Sequence, residues 1–120
     1  MSPEHIELSR RLVACKYFRW MPGMAFAEDN GIQWRVQSEM HAEYIYNDRC
    51  LNLSDPATLG CLLALVRKAW DDECCCVMPV DMGPGGVVWV CCLTAGGAAL
   101  TRSYWHAEAA ALVAALEAAP

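Results

Sequence analysis

Cysteine and histidine are the side chains of this chain that could supply a nucleophile, a general base or metal ligands. The sequence contains eight cysteines and three histidines, His5, His41 and His106. A catalytic cysteine needs a neighbouring base and a lowered pKa. No recognised nucleophile signature surrounds any of the cysteines, so we assign no catalytic residue. A small cysteine- or carboxylate-dependent hydrolase remains one alternative.

The spacing of the cysteines does not fit a structural zinc site, because no C-x-x-C pair occurs. They are Cys15, Cys50, Cys61, the run 74–76 and the pair 91–92. A free cysteine usually fills a buried position as a small apolar residue, and a reducing cytosol keeps thiols unpaired. We therefore predict reduced, mostly buried cysteines, with no metal, no cofactor and no disulfide needed for folding. The sequence leaves the role of the run 74–76 open.

Asp71, Asp72 and Glu73 are three consecutive carboxylates that could bind a cation or catalyse hydrolysis. A run of this kind more often forms the solvated end of a helix, and we adopt that interpretation.

The glycines form neither a dinucleotide-binding fingerprint nor a phosphate-binding loop, and their positions are typical of turns.

Aromatic side chains and one arginine form the best candidate binding surface. Trp34 and Arg35 lie on a predicted strand near Tyr44 and Tyr46. Residues of these types dominate protein-binding hot spots and platforms for planar ligands. Because side chains alternate along a strand, Trp34 and Arg35 point to opposite faces, so one flat site would include only one of them. The alternative is a sheet face packed under a helix. The candidate binding residues are Trp34, Arg35, Tyr44, Tyr46, Trp20 and Met24.

Helix and strand patterns follow the order helix, two strands, helix, three strands, helix. Two helix starts combine a capping residue with a proline, at Ser2-Pro3 and Asp55-Pro56. Val87–Leu93 is apolar throughout, which is typical of a strand covered on both faces. The predicted helices span residues 3 to about 15–18, 56–70 and 106–119, and the predicted strands 32–37, 43–46, 74–80, 87–93 and 98–104.

These elements predict an α+β fold. A doubly covered strand requires layers on both sides, and the glycine pair at 96–97 favours a hairpin. We therefore expect one domain, residues 1–120, built as an α/β/α-type sandwich with three helices and a mostly antiparallel sheet.

Composition and charge argue against several kinds of partner. The net charge of −5 disfavours a nucleic-acid backbone. No apolar run is long enough for a membrane span, and the N-terminal charges do not suit a signal peptide, so we expect a cytoplasmic protein. The chain is 56% hydrophobic, which leads us to expect a homo-oligomer.

Two segments resemble small uncharacterised proteins of tailed phages and prophages, in a pattern similar to the phage ABA-sandwich domain group. They are LSDPATLGCLLALVRKAW at 53–70 and HAEAAALVAALEAAP at 106–120. The resemblance implies a phage accessory protein in the host cytoplasm and implies no reaction. Together with the lack of a catalytic constellation, it predicts a protein that acts by binding. It would inhibit a host protein, such as a defence factor, or sequester a small signalling molecule. A phage structural or morphogenesis component is a further alternative.

Overall fold

The computed structural model describes residues 2–28, 30–92 and 107–120. The chain divides into two compact units, Met1–Cys61 and Leu62–Pro120, and the border falls inside one helix. Within the described residues each unit holds one small antiparallel sheet. The elements of the first unit are α1 (Pro3–Val13), β1 (Ala25–Ala27), β2 (Gln33–Arg35), α2 (Glu39–Glu43), β3 (Cys50–Leu51) and the start of α3 (Pro56–Ala69).

The sheet of the first unit has the order β2-β1-β3, with β1 in the centre. Phe26 of β1 lies opposite Trp34 of β2 and opposite Leu51 of β3, so these three side chains share one face. Helix α1 packs against β3. Ser9 fixes that contact, because its buried hydroxyl accepts the Leu51 N–H at 2.9 Å.

The second unit continues α3 and adds β4 (Cys76–Asp81), a 3₁₀ turn (Gly83–Gly85), β5 (Val87–Cys92) and α4 (Glu108–Glu117). Strands β4 and β5 form a hairpin, and α4 packs against both. Trp70, at the end of α3, donates its indole N–H to the Ala115 carbonyl at 2.8 Å. The fully buried side chains of this unit include Leu62, Val66, Cys75, Cys91, Leu112, Val113 and Leu116.

Strand β5 is buried on both faces only near its C-terminal end. Val90 and Cys91 are adjacent, point to opposite faces and are both buried. Val87 is exposed and Trp89 is half-buried, so the apolar run that begins at Val87 is not covered on both faces over its whole length. The hairpin turn leaves this end of the strand open to solvent.

The α+β class and the antiparallel pairing are confirmed, while several boundaries are corrected. The strand predicted at 43–46 is wrong, because α2 ends at Glu43 and Tyr44 is its C-cap. Four α-helices rather than three lie within the described residues, and β1 and β3 were not predicted. The strand predicted at 98–104 and the first residue of the last predicted helix lie outside the described residues. None of the described helices is long and apolar enough to cross a membrane.

Candidate binding surface

Three large apolar side chains are exposed on α2 and the turn that follows it. Met40, Tyr44 and Tyr46 are 70%, 74% and 70% exposed, and we call these three residues the Met40–Tyr46 surface. Met40 lies within α2, and Tyr44 is the C-cap of the same helix. A cluster of exposed apolar residues of this size is typical of a contact surface.

Helix α2 is short, and two local interactions fix it. Its N-cap is Ser38, whose hydroxyl accepts the His41 N–H at 3.1 Å. The His41 ring accepts the Gln37 N–H through Nδ1 at 3.0 Å. The same ring lies 6.3 Å from the ring of Phe26, so α2 is anchored on the sheet face that carries Phe26. Met40 and Tyr44 flank His41 on the exposed side of this anchor.

Trp20 supports the turn that carries Tyr46. Its ring is buried and makes edge contacts with Phe18 at 5.3 Å and Phe26 at 5.6 Å. Its indole N–H donates to the Asn47 side-chain oxygen at 3.4 Å. Because Asn47 follows Tyr46 directly, the buried indole holds the backbone beside the exposed tyrosine. Trp20 therefore positions the surface from beneath and does not form part of it.

Tyr46 is held in place by Arg49. The Arg49 N–H donates to the Tyr46 carbonyl at 3.1 Å and closes a turn. The Arg49 guanidinium lies over the Tyr46 ring, 5.5 Å from its centroid, which is a favourable cation–π distance. This contact restricts the motion of the tyrosine ring and so lowers the entropy lost when a partner binds it.

Trp34 lies on the same sheet face as the α2 anchor. It is 49% exposed and pairs with Phe26, against which the His41 ring packs. Strand β2 is an edge strand of the described sheet, so the indole is accessible from the side. Trp34 therefore extends the Met40–Tyr46 surface along this face.

Arg35 points to the other face of the sheet, as strand alternation predicts. Its guanidinium binds both carboxylate oxygens of Asp55, at 2.9 and 3.0 Å, and donates to the Gly23 carbonyl at 2.6 Å. Gly23 has a φ of 98°, a conformation that side chains rarely adopt, which explains why glycine occupies this position. These three contacts give Arg35 a structural role, although its side chain is still 46% exposed.

Asp55 joins this ion pair to the start of α3. Its carboxylate accepts the Thr58 N–H at 2.9 Å, so the predicted helix cap is confirmed. The Thr58 hydroxyl in turn accepts the Ala25 N–H of β1 at 2.8 Å. The hydrogen bond from Arg35 lowers the pKa of Asp55 well below its ordinary value of 3.8, and the contacts with Thr58 lower it further. The Asp55 carboxylate therefore stays charged at neutral pH.

Met24 is fully buried and cannot touch a partner in this structure. Of the six predicted binding residues, Trp34, Arg35, Tyr44 and Tyr46 are exposed, while Trp20 and Met24 are buried. Met40 is a further exposed apolar side chain, which the sequence pattern did not single out. The Ser38 cap and the spacing from Met40 to Tyr44 would have indicated it, had the segment been assigned to a helix.

Four of the eight cysteines have pKa shifts opposite to those of an activated nucleophile. Burial raises the pKa of Cys61, Cys75, Cys91 and Cys92, whereas catalysis requires a lowered pKa. His5 and His41 bind backbone groups of their own unit, and His106 lies outside the described residues. These features count against the cysteine-dependent hydrolase.

The three consecutive carboxylates lie at an open groove at the end of α3. Ala64, Arg67, Lys68, Asp71, Asp72 and Glu73 line this groove of about 430 Å³. Arg67 donates to the Cys75 carbonyl at 2.7 Å, which ties the helix to the start of the hairpin. Asp71 and Glu73 are exposed, as expected for a solvated helix end. Across residues 2–28, 30–92 and 107–120, no group of three or more His, Cys, Asp or Glu side chains could hold a metal ion.

Comparison of the chain with protein-family models, curated proteins and solved structures finds no match. A proposal for the function therefore rests on the geometry of the exposed surface.

Proposed function

We propose that this chain is a phage- or prophage-type accessory protein that acts by binding a host protein through the Met40–Tyr46 surface and Trp34. The exposure of these four apolar side chains around one sheet face is the observation that carries the proposal. The resemblance of residues 53–70 and 106–120 to phage proteins supports the biological setting.

A protein partner suits this surface better than a small signalling molecule does. Small ligands bind in concave pockets that bury most of their area. Met40 on α2 and Tyr44 at its C-cap are instead largely exposed. Aromatic residues and methionine are enriched in protein interfaces, where a few such side chains supply most of the binding energy.

The scaffold beneath the surface fits a binding role as well. Trp20, Phe26 and His41 form a packed aromatic cluster that supports both α2 and the turn at Tyr46. A preorganised surface loses less conformational entropy on association. The cluster therefore holds the exposed side chains ready for a partner.

A quantitative capture experiment tests this function. The purified, tagged protein is incubated with host lysate, and the captured proteins are quantified by mass spectrometry. The test variants are Tyr44→Ala and the double variant Met40→Ala/Tyr44→Ala. Met82→Ala is the matched control, because Met82 is also an exposed methionine but lies outside the surface. Circular dichroism checks that each variant folds.

We expect one host protein to be captured by the wild type and by Met82→Ala, and to be lost with the double variant. Loss of two hot-spot side chains should reduce capture by roughly tenfold or more. Equal capture by all variants would show that this surface is not the binding site. Arg35→Ala is unsuitable as a test variant, because it breaks the ion pair with Asp55.

A further inference from the structure

The β4–β5 hairpin places two cysteines directly opposite each other. Cys76, the first residue of β4, is the register partner of Cys92, the last residue of β5. The Met82 N–H donates to the Gly86 carbonyl at 2.8 Å, and hydrogen-bonded pairs recur at every second position of an antiparallel ladder. Cys76 and Cys92 therefore form such a pair, for which Cα atoms lie about 5.5 Å apart. That separation is within the range of a disulfide.

A second pair of cysteines on the other face of the hairpin provides an internal comparison. The sulfur atoms of Cys75 and Cys91 are 3.6 Å apart, and both side chains are fully buried. Burial raises the pKa of both thiols, and the thiolate is the reactive form. An oxidant in solution has no access to this pair. Cys76 and Cys92 are only partly buried, so they are accessible from solvent.

We propose that Cys76 and Cys92 form a reversible disulfide when the protein meets a low-molecular-weight disulfide such as glutathione disulfide. The Cys76 thiolate attacks one sulfur of the oxidant, forms a mixed disulfide and releases one glutathione thiolate. The Cys92 thiolate then attacks the Cys76 sulfur and displaces the second glutathione. The two protein thiols lose two protons and two electrons, and the oxidant is reduced to two thiols.

Either order of attack leads to the same product. Burial raises the pKa of Cys92. The disulfide is the same whichever of the two thiols attacks first, because the second thiol resolves the mixed disulfide from the opposite strand.

The geometry favours a labile bond over a structural one. Cβ atoms directly opposite in a ladder lie about 4.5–5.5 Å apart, whereas a disulfide needs about 3.5–4.5 Å. The strands must therefore move closer together at Cys76 and Cys92 for the bond to form. Strained and exposed disulfides are more easily reduced, which is the behaviour of a regulatory bond.

Thiol counting tests this proposal on the full chain. The reduced protein is treated with glutathione disulfide under native conditions, and the remaining thiols are alkylated after denaturation. Intact mass should show a species with two alkyl groups fewer than the reduced protein and no glutathione on this pair, beside any species in which the exposed Cys74 carries a glutathione. The Cys76→Ser and Cys92→Ser variants should form no internal disulfide and should retain one glutathione on the remaining thiol. Dithiothreitol should restore all of the thiols.

Two controls separate this pair from its neighbours. Cys74→Ser removes an exposed cysteine, and Cys91→Ala breaks the buried pair, so both variants should lose two thiols as the wild type does. If Cys91→Ala abolishes the loss of two thiols and Cys76→Ser does not, the disulfide belongs to the buried pair and the proposal is overturned. A folded wild type that loses no thiols, or a bond that dithiothreitol does not reverse, would also overturn it.

Discussion

At the scale of single residues, Asp55 joins a helix cap to an ion pair. It caps α3 through Thr58 and binds the Arg35 guanidinium with both oxygens. We predict that Asp55→Ala lowers the free energy of unfolding by about 1 kcal/mol or more, because the helix loses its cap. Asp55→Asn should cost less, since asparagine also caps helices. Urea unfolding measures both, and a neutral Asp55→Ala would contradict the assigned role.

The same ion pair predicts a pH dependence. Because the pKa of Asp55 is lower in the folded protein than its ordinary 3.8, the unfolded state binds the proton first as the pH falls. The stabilisation by Asp55 is therefore complete above the unfolded pKa and is lost in acid. We expect the stability difference between wild type and Asp55→Asn to shrink between about pH 5 and about pH 2. A difference that stays constant over this range would contradict the lowered pKa.

At the same scale, contacts between residues far apart in the chain could not be predicted from the sequence. Asp55-Pro56 indicated the cap, because capping depends on neighbours in the chain. The partner of Asp55 is Arg35, twenty positions away, and no local pattern indicates it. The burial of Trp20 and Met24 likewise depends on tertiary packing.

At the scale of elements, the hairpin gives a sharp prediction for hydrogen exchange. The ladder register directs the amides of Val88 and Val90 toward β4, and both residues are buried. We expect these two amides to exchange among the slowest of the second unit. The exposed turn at 83–86 should exchange quickly. NMR-detected exchange gives residue resolution, and rapid exchange at Val90 would exclude this strand pairing.

Element by element, long periodic segments were predictable and short ones were not. α1 and α3 carry capping and proline signals, and α4 lies within the predicted last helix. β1 and β3 have only three and two residues, too few for an alternation pattern. The Tyr-Ile-Tyr pattern at 44–46 suggested a strand, but the Ser38 cap favours a helix just before it.

At the scale of the whole molecule, the exposed apolar surface also bears on association. Large apolar side chains are exposed in both units, including Ile32, Trp34, Tyr44, Met78 and Val87. We predict that the protein forms a homodimer at micromolar concentration, since closed symmetric dimers are the commonest assembly. Light scattering measures the mass in solution. A strict monomer across that concentration range would contradict this expectation.

Site-specific photocrosslinking in host cells tests most directly whether the Met40–Tyr46 surface contacts a host protein. A photoreactive phenylalanine replaces Tyr44 in one variant and Met82 in another, and both side chains are exposed in the structure. We expect one discrete crosslinked host protein from position 44 and none from position 82. A crosslink to the same host protein from position 82 alone, or no crosslink from either position, would contradict it.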